Sequence, residues 1–310
     1  MATKRRAKTI GVLEFTRLFP DEDAAVAHFE GVRWGGIPTC PSCGQADSVT
    51  ECKRRYFRWC GHCREYFTAK KGTVMESSKV PVRTWLLAMY YLVTARKGIS
   101  SIQLSKELSV SQPTAWFLLH RLREACGSNL EVLSDVVEID ETYIGGKEKN
   151  KHQRQKTTKR RGTAGKQAVF GMRERGGPTV AWPVPATDRT TLVPAIEQAV
   201  KPGSIVFTDD SGTYRELGLA GYYHQAVNHS AKQYVLGPAH TNSMESVWAV
   251  LKRGHYGTYH KMSTKHLHRY VNEFTFRLNA GDVQHDTLDR MASLSQALCG
   301  KRVTYRELTA

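Results

Sequence analysis

Residues 136–146 read VVEIDETYIGG, and this run decides what the second half of the chain can be. Val137 and Ile139 alternate with Glu138 and Asp140, the two-residue period of a β-strand with one face in a core. The pattern predicts a strand over 136–143, with Val137 and Ile139 on its apolar face and Glu138 and Asp140 opposite. A carboxylate at mid-strand among apolar residues is costly unless something pairs with it. Glu141 follows at once.

Two later stretches carry acids in comparable settings. In SIVFTDDSGTYREL (204–217), a buried strand through Ile205, Val206 and Phe207 ends in Asp209 and Asp210. The C-terminal end of a buried strand is a common place for ligands in α/β sheets. In HTNSMESVWAVLKRG (240–254), Met244, Val247, Trp248 and Leu251 form the apolar stripe of a helix. Glu245 sits on another face with Asn242, Ala249 and Lys252. Asn242 and Glu245 also have the spacing of a helix capping box.

Further strands are expected at 167–174, 179–183, 204–209 and 224–229, and helices at 190–200, 242–252 and 265–278. This order predicts a mixed α/β domain over 135–285, with a tail at 286–310. Between the first two strands, 147–161 holds eight Lys/Arg, including Lys159, Arg160 and Arg161, and one acid, Glu148. Such a run reads as a DNA-clamping loop or as a solvated one.

The front of the chain has a different character. Residues 1–37 read as a basic arm and a helical lead-in, with no apolar run that would make a secretory signal. In 38–71 stand two CxxC knuckles, Cys40 and Cys43, then Cys60 and Cys63, separated by sixteen residues. Two such turns complete a tetrahedral four-sulfur site of the kind that holds structural Zn²⁺, a zinc ribbon. Seven cysteines in this clustering argue against a disulfide framework and for a reducing, cytoplasmic setting. The stretch 72–81 reads as a linker.

Residues 82–128 are helical, with turns at 97–98 and 109–111. Helix, short turn and helix match a helix-turn-helix. In that reading Ser111, Gln112, Thr114, Arg121 and Arg123 form the exposed, DNA-binding face of the second helix. The net charge of +16, from 45 basic and 29 acidic residues, suits a polyanionic partner. The longest apolar stretch, 85–95, is much shorter than the ~20 residues of a spanning helix.

Asp209 and Glu245 have 35 residues between them, and Asp140 lies on an earlier strand. With CPSCG, WCGHC, EIDETYIGGK (138–147), VFTDDSGTY (206–214), HTNSMESVWAVLKRGHYGTYH (240–260) and HLHRYVNEFTFRLN (266–279), the chain resembles insertion-sequence transposases of the zinc-ribbon, acidic-triad (DDE) group. The resemblance spans nearly the whole chain. It implies an RNase H-like catalytic domain in which Asp140, Asp209 and Glu245 hold two Mg²⁺ or Mn²⁺ ions, and Lys252 contacts phosphate. Asp210 is the alternative to Asp209, and Asn242 to Glu245. It further implies binding of element ends, hydrolytic strand cleavage, and transfer of 3′-hydroxyl ends into target DNA by a dimer or larger assembly associated with the nucleoid when on DNA. The histidines at 240, 255, 260 and 266 read together as phosphate or DNA contacts, and each singly as a solvated helix or loop residue. A DNA-binding regulator has no need of three converging carboxylates. A nuclease of the same fold would cut without joining.

Overall fold

The structure is a computed structural model that describes residues 6–127, 132–146, 163, 165–209, 212–215, 217–227 and 240–310. The basic run at 147–161, with Lys159, Arg160 and Arg161, lies outside the described residues, as do Asp210 and positions 228–229 of the last expected strand. The chain forms two compact units, 1–128 with 280–310, and 129–279.

The first unit opens with α1 (Val12–Leu18) and α2 (Glu22–Trp34). Asp21 caps α2 by accepting from the Ala24 N–H, and Gly35 ends it in the left-handed region at φ 60°. A small antiparallel sheet follows, of β1 (Val49–Glu51), β2 (Arg58–Cys60) and β3 (Glu65–Phe67). Then come α3 (Val82–Thr94), α4 (Ser101–Leu108) and α5 (Gln112–Cys126). Helix α3 is apolar on most sides and buries Trp85, Leu86, Ala88, Met89 and Leu92, which makes it the central helix of this unit. Among the described residues no helix is long and apolar enough to cross a membrane.

Ser100 caps α4 through the Gln103 N–H at 3.1 Å. Ser111 caps α5 through the Thr114 N–H, with Pro113 in the first turn. The exposed face expected on α5 holds at its start, where Gln112 is exposed and Thr114 half-buried. It fails further along: Arg121 and Arg123 are buried, at 6% and 1% exposure. Arg121 donates from Nε to the Val303 carbonyl at 2.9 Å and stacks on Phe117 at 4.2 Å. By its second half, α5 is enclosed on nearly every side, and a basic residue there points into the fold.

The second unit is a five-stranded mixed sheet. Its elements are β4 (Val136–Ile144), β5 (Gln167–Glu174), β6 (Thr179–Val184), α6 (Arg189–Ala199), β7 (Ile205–Asp209), β8 (Tyr223–Val227), α7 (Asn242–Gly254) and α8 (Leu267–Leu278). The strand order is β6-β5-β4-β7-β8, antiparallel from β4 through β6 and parallel from β4 through β8. Both faces are covered. Val137, Ile139, Phe170, Met172 and Val206 pack with Leu192 and Ile196 of α6. Ile144 and Val169 pack on the other side with Met244, Trp248 and Leu251 of α7 and Val271 and Phe274 of α8.

Residues 280–310 return to the first unit. Helix α9 (Thr287–Ala297) buries Met291 and Leu294, and α10 (Tyr305–Thr309) buries Leu308. The stretch 72–81 is no linker: Thr73, Val74 and Met75 are fully buried, and Thr73 bridges to Cys299. The expected tail at 286–310 is thus a structural part of the first unit, and 280–285 belongs there too rather than to the α/β domain. Deleting 286–310 removes Met291, Leu294 and Leu298 from the core. At about 2 kcal/mol or more for each, this rivals the whole stability of a domain. Amide exchange in α3 is expected to lose its protection in the deletion variant, and unchanged protection would contradict this packing.

Candidate functional site

The first site is built by turns. Cys40 and Cys43 stand on one knuckle, with the Gly44 N–H donating to the Cys40 carbonyl at 2.9 Å. Cys60 ends β2, and Cys63 follows in a tight turn whose Arg64 N–H donates to the Cys60 carbonyl at 2.8 Å. The ligand atoms of all four cysteines lie within 4.8 Å of one another, with Sγ separations of 3.9 Å for Cys40–Cys63 and 3.7 Å for Cys43–Cys60. Four sulfurs at ~2.3 Å from a tetrahedral zinc lie about 3.8 Å apart, so the donor set fits that ion. The Cys63 amide donating to Cys60 Sγ at 3.4 Å favours the thiolate and holds Cys60 at a pKa of about 6. Phe67 and Trp34 pack against the cluster.

The second site lies on the face of the large sheet covered by α7. Strands β4 and β7 pair in parallel, Val136 beside Ile205 and Glu138 beside Phe207. Continued by two residues, this register sets Asp140 beside Asp209, and the two-residue period puts both on the face of Glu138 and Phe207. On the other side of β4, Asp140 lies opposite Gly171 of β5. A Cβ at Gly171 would lie 2.5 Å from Trp248 Cη2 and 2.7 Å from Met244 Cε. Glycine there lets α7 sit down on the sheet, and Glu245 is the residue after Met244.

The electrostatics agree with convergence. Asp140 is pushed up to about 6, first by burial and then by the Asp209 and Glu245 carboxylates, against the Glu141 N–H that donates to its Oδ1 at 2.8 Å. The Trp248 Nε1–H also favours the charged form of Asp140. Carboxylates that repel one another in a buried setting form a hard-oxygen donor set that suits a divalent cation. They are not drawn as close as the thiolates. Among the described residues, the four cysteines are the one set of acids, histidines or cysteines whose ligand atoms all lie within 4.8 Å.

Several site residues were not legible in the sequence. Glu141 points to the opposite face, where Tyr214 donates to its carboxylate. Burial pushes Glu141 up to about 7, with the Tyr214 hydrogen bond opposing and Asp209 and Asp140 adding to the rise. Glu138 is fully buried and accepts from the Ser243 and Met244 N–H groups at 2.9 and 3.4 Å. These are first-turn amides of α7, so the capping box expected at Asn242 is not formed. Thr241 is the cap residue and gives no side-chain cap, while Asn242 is exposed in the first turn. Glu245 and Lys252 are exposed on α7. Two of the histidines read as phosphate contacts, His255 and His266, are buried at 4% and 8% exposure.

Two outcomes follow. Chelation, or Cys60→Ser, is expected to release one zinc per chain and to collapse 40–67, because a structural zinc supplies the folding free energy of such a ribbon. Metal analysis and NMR line shapes check this, and a well-folded ribbon free of zinc would contradict it. Gly171→Ala is expected to cost the second unit about 1–3 kcal/mol by overpacking against a rigid indole. Urea unfolding reads the loss, and an unchanged midpoint would mean that α7 does not sit this close.

Similar proteins place the chain. The family description "ISXO2-like transposase domain" matches residues 132–279, and "Transposase zinc-ribbon domain" matches 20–66. A protein of the transposable element ISH50 of Halobacterium salinarum is 29% identical, over 84% of this chain and 92% of that one. A transposase-like protein of Haemophilus influenzae is 30% identical over 33% of this chain and 80% of that one. Among solved structures, the Mos1 strand transfer complex is 15% identical over 63% of this chain and 76% of that one, with a TM-score of 0.20. The Mos1 paired-end complex with the left transposon end is 13% identical over 62% and 75%, at 0.21. TM-scores of this size carry no argument about the fold. On the two matching domains and the sequence relatives, the chain belongs to the ISXO2-like, zinc-ribbon transposases of insertion sequences.

Proposed function

We propose that this transposase cuts DNA at the ends of its element and joins the freed 3′-hydroxyl ends to target DNA, using Asp140, Asp209 and Glu245 on an RNase H-like domain. The observation that supports this is the parallel register of β4 and β7, which, continued two residues past Glu138 and Phe207, would bring two aspartates together on the sheet face that α7 covers. Glu245 is favoured over Asn242 because a carboxylate is a charged oxygen donor and an amide is not. These carboxylates would hold Mg²⁺ or Mn²⁺, which supplies activation of the attacking oxygen and stabilisation of the leaving one. The protein's own part is to position the donors and to grip the strand. Lys252, exposed seven residues beyond Glu245 and so two turns along the same helix face, would meet phosphate.

Binding of the element end is assigned to the first unit. Helices α4 and α5, joined by a short turn, would act as a helix-turn-helix, with Gln112 and Thr114 at the reading end of α5. Arg121 and Arg123 are buried and take no part. The basic run at 147–161 has the charge to hold DNA phosphates. Joining two ends calls for at least a dimer.

Labelled element ends incubated with Mn²⁺ test the reading. The wild type is expected to give cleaved and then joined product. Asp140→Ala is expected to lose about 10³-fold or more in cleavage rate, a barrier increase of about 4 kcal/mol, while retaining end binding in a mobility-shift assay. Cleavage by Asp140→Ala at the wild-type rate would refute the assignment, and cleavage without joining would make the protein a nuclease.

A further inference from the structure

Arg175, just beyond β5, touches each element that carries one of the three carboxylates. Its Nε donates to Glu138 Oε1 on β4 at 2.7 Å. Its Nη2 donates at 3.0 Å to the carbonyl of His240, which leads into α7. Its guanidinium lies over the Phe207 ring of β7 at 4.6 Å. Its own N–H donates to the Val136 carbonyl at 2.9 Å. Glu138 completes the junction by accepting, on Oε2, from the Ser243 and Met244 amides, and His240 Nδ1 stands 3.2 Å from Oε1.

Every contact falls a short, rigid step from a proposed ligand. Glu138 is two residues before Asp140 on one strand face, and Phe207 two residues before Asp209. Ser243 and Met244 immediately precede Glu245. We propose that Arg175 and Glu138 are positioning residues that set the separation of Asp140, Asp209 and Glu245. This rests on the reading of those three as cation ligands.

The choice of residues favours positioning over mere stability. A Ser or Asp at position 241 would cap α7 locally, without burying charge. Instead the cap comes from a carboxylate with no exposed surface, 105 residues away, matched by a guanidinium. A buried ion pair is a poor way to gain stability, because desolvation offsets the attraction. What it supplies is a fixed geometry: planar, forked donors tolerate little displacement of three backbones. Outer partners of this kind tune metal sites by orienting the ligands.

The test uses the full-length, zinc-loaded chain with Glu138→Gln, Arg175→Lys and the double variant. Mn²⁺ binding is followed without DNA by the loss of the free-ion electron paramagnetic resonance signal, with Asp140→Ala as the background. Each single variant is expected to bind Mn²⁺ about 10- to 100-fold more weakly, and the double variant no worse than the weaker single, because the two act as one unit. Adding Thr241→Asp to Glu138→Gln supplies a local cap. It is expected to restore the melting temperature but not the Mn²⁺ affinity. Folded variants that bind Mn²⁺ within twofold of wild type would overturn the proposal, as would recovery of affinity together with stability in the Thr241→Asp variant. A wild type with no Asp140-dependent Mn²⁺ binding would instead overturn the reading of the carboxylates beneath it.

Discussion

The parallel pairing of β4 with β7 is the constraint on which the second unit depends. The pairing runs from Val136 beside Ile205 to Glu138 beside Phe207, and the two strands carry Asp140 and Asp209 two residues further on. A slip of one residue by either strand would turn its aspartate to the face of α6. The apolar residues forbid it: Val137, Ile139 and Val206 fill the α6 side, and their burial holds the acids on the α7 side. The glycine at 171 then lets Trp248 and Met244 of α7 sit close on the sheet.

The two candidate metal sites solve opposite problems. The four cysteines crowd within one coordination shell, on short turns that have little core apart from the sulfurs, Phe67 and Trp34. Folding and metal binding are one event there. The carboxylates stand on a fold that has its own core, where Glu138 caps the start of α7 and Gly171 admits its side chains. Burial first, and the neighbouring carboxylates after it, push Asp140 up to about 6, and a cation would offset both. A scaffold that is rigid without the ion suits a site whose ion must also meet a substrate.

Much of this was legible in the sequence, for reasons that are local. The strand expected at 167–174 is Gln167–Glu174, and the helix expected from 242 runs on to Gly254, because alternation and helical periodicity are properties of neighbouring residues. The knuckle spacing foretold the sulfur cluster for the same reason. Long-range placement was not legible. Glu138 has the same strand period as Asp140, but its partners lie 37 and 105 residues away, so local pattern could not name them. Arg121 and Arg123 looked exposed because a helix pattern reveals its apolar stripe and not how many neighbours surround it. Arg121 meets Val303, 182 residues on. The final segment carries too weak a pattern to announce that α9 completes the first unit's core.

A crystal of the protein grown or soaked with Mn²⁺, measured at the manganese absorption edge, addresses the central claim directly. The account predicts an anomalous peak in the second unit, bounded by oxygens of Asp140, Asp209 and Glu245. A saturated crystal with no peak there, or with manganese held by other side chains, would contradict it.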